Sequence, residues 1–322
     1  MNQLNDIQAC IAPELRRLNE RIATRLHSSN ELMNTVIENY LKVKGKQIRP
    51  ILVMLSARLL GEVNDNVIAS AAAVELLHNA SLIHDDVVDD TKTRRGVETI
   101  NGLWDNHIAV LVGDYFVSMA LIESMTTGDS RAVESIANLG KLLSLGEIDQ
   151  IYNARFHHLS EEAYFGVINR KTASLFVACV EMGGYAVGAD EESMTHLRRY
   201  AELLGLCFQI KDDIFDYFDD ERIGKPTGND LREGKITLPL LHVLLGEDAD
   251  SPMMQLSRKE QLTDGEIMLL IEHAKANGGI EYAYERMAAL CDEALAELNY
   301  LPAGPDRDAF ESLFRYVIAR DN

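Results

Sequence analysis

An all-α fold, read as one helical domain over residues 1–322, is predicted by three observations. The seven prolines stand at 13, 50, 226, 239, 252, 302 and 305, so residues 51 to 225 contain none. Proline breaks helices by removing an N–H and clashing with the preceding turn, and its absence permits long ones. The same stretch is rich in Ala, Leu, Ile and Glu, which lose little freedom in a helix. Its apolar residues recur at three- and four-residue spacing, with no sustained alternation of period two.

Taken in chain order, helix breaks are expected at Ser28-Ser29-Asn30, Gly61 to Asn66, Thr91 to Gly96, Thr126 to Ser130, His157 to Ser160 and Gly188-Ala189-Asp190. Several end in Ser, Asp or Asn, whose short polar side chains accept from the free N–H groups that open a helix. Roughly a dozen helices follow from this pattern, with no inter-domain linker, internal repeat or low-complexity segment. Leu139, Leu142, Leu143, Leu145, Ile148 and Ile151 form one apolar stripe. A helix from about Val67 to Asp90 carries Glu75, His78, Leu82, Asp85 and Asp89 on a single face, because they step by three and four. Residues 218 to 236 depart from the pattern, being polar with Gly224, Pro226 and Gly228, and are predicted to form an exposed loop.

Composition narrows the function. With 47% hydrophobic residues the chain can bury a large core. A formal net charge of −20 disfavours nucleic acid and anionic membrane surfaces as partners. Cys10, Cys179, Cys207 and Cys291 lack metal-ligand spacing and read as buried free thiols of a reducing cytosol. Met1 to Asp6 lacks the basic start of a signal peptide, and charges interrupt every apolar stretch. The expectation is a soluble, cytoplasmic protein.

Two acidic clusters carry the chemistry: Asp85-Asp86-Val87-Val88-Asp89 and Asp212-Asp213-Ile214-Phe215-Asp216. Carboxylates in a largely apolar helix need compensation, since an unpaired buried charge costs several kcal/mol. Divalent cations between two such helices would supply it, and an anionic ligand would complete their coordination. Asp85 and Asp89, at i and i+4, project side by side; Gln209, Asp212 and Asp216 share a face by the same arithmetic. Neither cluster has the spacing of an EF-hand.

Basic residues are few, and they bunch beside these clusters. Lys42, Lys44, Lys46 and Arg49 flank Gly45, Lys92, Arg94 and Arg95 follow the first cluster, Arg170 and Lys171 precede Thr172, and Lys225 and Lys235 bracket the polar loop. Cations beside metal-binding carboxylates suit a diphosphate. Glu147 and Gln150 share a face of a mid-chain helix and read equally as cavity-lining or exposed. His84-Asp85 lacks the further histidines of a metallophosphohydrolase, and His107, His157, His158, His196, His242 and His273 fall in no ligand pattern. There is no Ser-His-Asp arrangement, Gly-rich dinucleotide fingerprint or P-loop.

These motifs resemble those of the trans-polyprenyl diphosphate synthases. The first reads Leu82-Ile83-His84-Asp85-Asp86-Val87-Val88-Asp89-Asp90, followed by Arg94-Arg95-Gly96, and the second Gln209-Ile210-Lys211-Asp212-Asp213-Ile214-Phe215-Asp216. Around them stand Gly45-Lys46-Gln47-Ile48-Arg49-Pro50, Lys171-Thr172-Ala173, Gly224-Lys225-Pro226-Thr227-Gly228-Asn229-Asp230 and Gly234-Lys235. The resemblance implies a helical barrel around a deep central cavity, working as a homodimer. It implies that Lys46, Arg49, His78 and Arg95 hold the diphosphate of isopentenyl diphosphate. Asp85, Asp89, Asp212 and Asp216 would bind roughly two or three Mg²⁺ ions that bridge the allylic diphosphate, geranyl or farnesyl. Arg94, Lys171, Thr172, Gln209, Lys225 and Lys235 would contact that diphosphate or close over it. The implied catalytic set is Asp85, Asp86, Asp89, Lys171, Asp212 and Asp213. Gln47 stands where the family often has Arg or Lys, which leaves the binding assignment intact.

Ala80 and Ser81 lie about one turn before Asp85, where short-chain members commonly place an aromatic that blocks the growing tail. Two small residues predict a long product, around octaprenyl diphosphate, delivered to the membrane by a soluble enzyme. The alternatives are a shorter-chain farnesyl or geranylgeranyl synthase, a class I terpene cyclase, and a non-catalytic subunit of a heteromeric synthase. An unbroken second aspartate cluster argues against the last two.

Overall fold

The structure, a computed structural model, describes residues 3–42, 45–94, 96–218 and 227–319. Among them are seventeen α-helices rather than a dozen. The N-terminal set is α1 (Gln3–Cys10), α2 (Ala12–Leu26), α3 (Glu31–Leu41), α4 (Ile48–Leu60) and α5 (Asp65–Val88). A small antiparallel hairpin, β1 (Thr93–Arg94) and β2 (Val97–Glu98), comes next. It is followed by α6 (Ile100–Leu103), α7 (Asn106–Met125), α8 (Ser130–Arg155) and α9 (Glu161–Ile168). A π-helical turn, Asn169–Ala173, leads into α10 (Ser174–Ala186) and then α11 (Glu191–Phe215). The remainder is α12 (Asn229–Arg232), α13 (Leu238–Leu245), α14 (Pro252–Ser257), α15 (Asp264–Ala276), α16 (Gly279–Glu297) and α17 (Pro305–Ala319).

Five of the six expected breaks lead into a helix and the sixth, Thr91 to Gly96, into the hairpin; Asn30, Ser160 and Asp190 cap as expected, while α5 is capped by Asn64 rather than by Asn66. Asn30 accepts from Met33 N at 3.0 Å and Asn64 from Asn66 N at 2.9 Å. Ser160 accepts from Ala163 N at 3.3 Å, and Asp190 from Ser193 N at 2.8 Å. Each satisfies an N–H that the helix itself leaves unpaired.

The chain falls into two compact units. The first comprises the described residues up to Lys141, with Leu175–Ala201 and Ala296–Tyr316. Its centre is α5, which packs along α7, α4 and α2. Val67 to Val74 of α5 are almost fully buried, so this helix is apolar on every side and its alanines allow close approach. Tyr200 and Phe310, both fully buried, meet edge to face, and the Tyr200 hydroxyl donates to Phe310 O at 2.7 Å.

The second unit comprises Leu142–Ser174, Glu202–Leu295 and the described residues from Val317. Tyr217, Leu240, Leu244, Leu270 and Ile271 form its buried cluster, with α13 and α14 packed against α15.

The apolar stripe lies on α8, as its spacing predicts, with Leu139 buried and Leu145, Ile148 and Ile151 exposed. Three expectations need correcting. Part of the polar segment 218 to 236 is folded: Asn229–Arg232 is a helical turn anchored by the buried Leu231. Cys10 is exposed, whereas Cys179, Cys207 and Cys291 are buried. Finally, α5 and α7 are each long and apolar enough to cross a membrane; the apolar window of α5 is mostly buried in its own unit.

Candidate active site

The first aspartate cluster lies where α5 ends. Asp89 is the C-cap, its N–H returning to Asp85 O at 2.8 Å, and Asp90 takes a left-handed conformation with φ of 49°. The reversal brings the hairpin back over the helix end. Arg94 thereby donates from Nε to Asp86 Oδ1 at 2.8 Å, with a second guanidinium nitrogen at 2.8 Å from the same oxygen. Asn101 Nδ2 and Thr91 N both donate to Asp86 O, at 2.9 Å each. Asp86 is thus the buried, cation-paired member of the cluster; Asp85 is half-buried and Asp89 exposed.

In the same unit His78 is half-buried on α5, and Ser81 Oγ donates back to His78 O at 2.9 Å. Arg49, in the first turn of α4, sets its guanidinium 5.7 Å from the Phe176 ring centroid. Lys46 is exposed, with Nζ 5.7 Å from the Tyr316 ring. Burial pushes the Cys179 thiol well up, and the charges of Arg49 and Glu75 act on it in opposite directions. Ala80 is fully buried and Ser81 half-buried.

The second cluster sits at the end of α11, where Asp212 is half-buried and Asp213 buried. Tyr164 OH donates to Asp213 Oδ2 at 2.6 Å, and Gln209 Nε2 donates to Asp213 Oδ1 at 2.8 Å. Burial pushes the Asp213 carboxyl up to about 7; those two hydrogen bonds oppose the rise, and the neighbouring Asp212 and Asp216 add to it. Asp216 points both oxygens at backbone, accepting from Asn229 N at 2.9 Å and Asp230 N at 3.0 Å. Asp230 is itself raised well above the carboxylate range, chiefly by burial. Lys235 pairs with Glu233, and its N–H donates to Asp230 O at 2.8 Å.

The π turn supplies the remaining groups. Its Ser174 N–H reaches back five residues to Asn169 O, so one extra residue is accommodated and Lys171 and Thr172 are re-aimed. Side chains tie it down on two sides. Lys171 pairs with Glu147 and donates to Gln150 Oε1 at 3.2 Å; Arg170 pairs with Asp149; Thr172 Oγ1 donates to Gln209 Oε1 at 2.7 Å. Two glycines make room. A Cβ on Gly146 would stand 2.7 Å from Lys171 Cγ, and one on Gly205 would stand 2.4 Å from Ala173 Cα.

The structure therefore joins Asp86 with Arg94, Lys171 with Glu147 and Gln150, and Thr172 with Gln209 and Asp213. Arg95 and Lys225 lie outside the described residues. Sequence reasoning did not single out Tyr164, Asn101 or Asp230 as functional. Glu147 and Gln150, left open in sequence, prove to be the partners of Lys171.

The Polyprenyl synthetase family model matches residues 30–273. The chain belongs to this family. It is a prenyltransferase with the all-helical isoprenoid synthase fold. The octaprenyl diphosphate synthase of Escherichia coli K12 is 34% identical over 99% of both chains. Among solved structures, a decaprenyl diphosphate synthase from Rhodobacter capsulatus superposes with a TM-score of 0.93 at 34% identity, covering 98% of each chain. A Caulobacter crescentus polyprenyl synthase complexed with calcium and isoprenyl diphosphate gives 0.91 at 32%, covering 99% and 98%. A geranylgeranyl pyrophosphate synthase from Bacteroides thetaiotaomicron is 38% identical with a TM-score of 0.86, covering 99% and 100%.

Proposed function

We propose that this polyprenyl synthetase is a long-chain trans-polyprenyl diphosphate synthase, adding isopentenyl diphosphate head to tail onto geranyl or farnesyl diphosphate until about eight isoprene units are joined. The observation that supports it most is that both aspartate clusters are unbroken, with a guanidinium beside the first and neutral hydrogen-bond donors beside the second. The whole chain, residues 1–322, is read as a single functional domain.

The residues fit Mg²⁺. Asp85 and Asp89 are hard oxygen donors one turn apart, and Asp212 and Asp216 repeat that spacing. Mg²⁺ takes one or two carboxylates and fills its shell from water and phosphate oxygens. When bound, it would neutralise diphosphate oxygens and so ease departure of the leaving group. Lys171 and Arg94 would add positive charge around the allylic diphosphate, with Thr172, Gln209, Lys225 and Lys235 ordered beside it. Lys46, Arg49, His78 and Arg95 would hold isopentenyl diphosphate, whose double bond attacks the allylic carbon before a proton is lost. Positioning and electrostatics carry such a reaction, and no covalent nucleophile is needed.

The long product follows from the small Ala80 and Ser81. A homodimer is supported by α7, whose Val110, Leu111, Ile122 and Met125 are exposed at 39 to 65%; a second copy would cover that face. We place the enzyme in the cytoplasm, passing its product to the membrane.

Purified protein is incubated with Mg²⁺, farnesyl diphosphate and labelled isopentenyl diphosphate, and the products are separated by chain length. Elongated diphosphates near octaprenyl are expected. Cyclic hydrocarbons would instead mark a cyclase, arrest at geranylgeranyl a shorter-chain synthase, and no turnover a regulatory subunit. Ser81→Phe should shorten the product; an unchanged distribution would remove Ser81 as the length determinant. Sedimentation should show a dimer that Leu111→Glu weakens.

A further inference from the structure

We propose that Tyr164 and Asp213 are positioning residues that fix the hydrogen-bond sense of Gln209 and, through it, of Thr172. The inference rests on the prenyl-transfer reading and deepens it. Four side chains in one compact unit form an unbroken chain: Tyr164 OH to Asp213 Oδ2 (2.6 Å), Gln209 Nε2 to Asp213 Oδ1 (2.8 Å) and Thr172 Oγ1 to Gln209 Oε1 (2.7 Å). Tyr164 and Asp213 are 9% and 4% exposed, so water does not compete at that end of the chain, while Gln209 and Thr172 are half-buried.

The sense of each link follows from donor and acceptor inventory. Gln209 turns its NH₂ toward Asp213, whose Oδ1 accepts from Nε2 at 2.8 Å while Oδ2 is taken up by the Tyr164 hydroxyl, an arrangement that holds whether or not Oδ2 carries a proton. Its carbonyl oxygen then faces Thr172, and an amide oxygen only accepts. The Thr172 hydroxyl proton is therefore committed to Gln209. Beyond the chain Thr172 offers lone pairs, and it acts on a neighbouring ligand as an acceptor rather than as a donor to diphosphate oxygen. Tyr164 holds the far end: its hydroxyl occupies Asp213 Oδ2, which keeps Oδ1 directed at Gln209. Without Tyr164, Asp213 can rotate and Gln209 can turn over, which would reverse Thr172.

The chain also links two elements that must agree in register. Thr172 lies on the π turn and Gln209 on α11, where Gly205 lets the turn lie against the helix backbone. Neither Tyr164 nor Asp213 needs to touch substrate or metal for this role.

The test compares wild type with Tyr164→Phe, Asp213→Asn and Tyr164→Phe/Gln209→Met. Three quantities are read: kcat and KM with both diphosphate substrates, Mg²⁺-dependent binding of inorganic pyrophosphate by calorimetry, and hydrogen exchange of the Gln209 side-chain amide in ¹⁵N-glutamine-labelled protein. Tyr164→Phe should lower kcat about tenfold or more while KM and pyrophosphate affinity stay within about threefold. Its Gln209 amide should exchange about tenfold faster than in wild type. The double variant should be no worse than its worse single parent, because both cut one chain.

The proposal is overturned if Tyr164→Phe keeps kcat within about twofold of wild type. It is equally overturned if Asp213→Asn abolishes Mg²⁺-dependent pyrophosphate binding, which would make Asp213 a metal ligand. Should Tyr164→Phe not fold, Gln209→Met alone cuts the chain at a half-buried link and must lower kcat about tenfold or more, whatever it does to KM. If wild type fails to elongate any primer, the synthase reading falls, and the Gln209 exchange rate still decides the relay.

Discussion

Asp86 and Asp213 occupy the same place in two clusters of the same design, and both are buried, at 5% and 4% exposure. Their surroundings are opposite. Asp86 meets a guanidinium, with Arg94 folded back by the hairpin. Among the described residues the donors to Asp213 are neutral, Tyr164 and Gln209, and its carboxyl is pushed up to about 7. A repeated motif therefore does not imply a repeated environment. The first cluster anchors its middle residue with a cation; the second uses its middle residue to orient other side chains.

The outer residues should behave alike in both regions, and they give the largest effect. Asp85→Asn and Asp212→Asn should each lower incorporation of labelled isopentenyl diphosphate about a thousandfold, as expected when a preorganised group stabilising the leaving charge is lost. A loss below about tenfold at either site would mean that the two clusters do not share the work equally.

Gly205→Ala sharpens the comparison next, because only the second region depends on a π turn lying against a helix. The added Cβ would stand 2.4 Å from Ala173 Cα, and backbone cannot swing aside as a side chain can. Overpacking of this kind should cost about 3 kcal/mol in a denaturant titration and should displace Thr172, lowering turnover as well. Normal turnover in a folded variant would show that the turn tolerates a shift.

Much of this was legible in the sequence, and the boundary is instructive. The clusters, the cap residues Asn30, Ser160 and Asp190, and Lys171-Thr172 stand out because each signal is local: a spacing, a cap, a dipeptide beside a break. Tyr164 was invisible because its meaning lies 49 residues away, at Asp213. Asn101 likewise acts on Asp86 across 15 residues. The exposed Leu145, Ile148 and Ile151 show a further limit: three-and-four spacing reports a helix with an apolar face, and says nothing of what that face meets.

Arg94→Met tests the electrostatic half of the contrast. It leaves the Asp86 carboxylate buried without its cation and should cost about 2 kcal/mol, moderated because Arg94 is 38% exposed. Adding Asp86→Asn should restore part of that loss, since the residue left behind carries no charge. Asp213→Asn alone should cost less, about 1 kcal/mol, because Tyr164 and Gln209 can still bond a neutral amide. If Asp213→Asn proved the costlier change by chemical denaturation, the assignment of opposite roles would be reversed.

The last effect is a matter of sign with pH, measured on metal-free protein. Asp213 has a folded value raised by burial from 3.8 to about 7, so the folded state holds its proton more tightly than the unfolded chain does. Its contribution is fully present below about pH 4 and is lost as pH rises through about 7. Glu266 runs the other way. Lys259 and the Thr263 capping box hold it down to about 2 from 4.5, so its contribution is present above about pH 4.5 and is lost as pH falls toward 2. Asp213→Asn should therefore flatten the stability profile between about pH 4 and 7 and leave the acid limb alone. Glu266→Gln should flatten only the acid limb, and by less, because that carboxylate is solvated in either state. A shared response to both substitutions would mean that one global transition, rather than two separately held carboxylates, sets the profile.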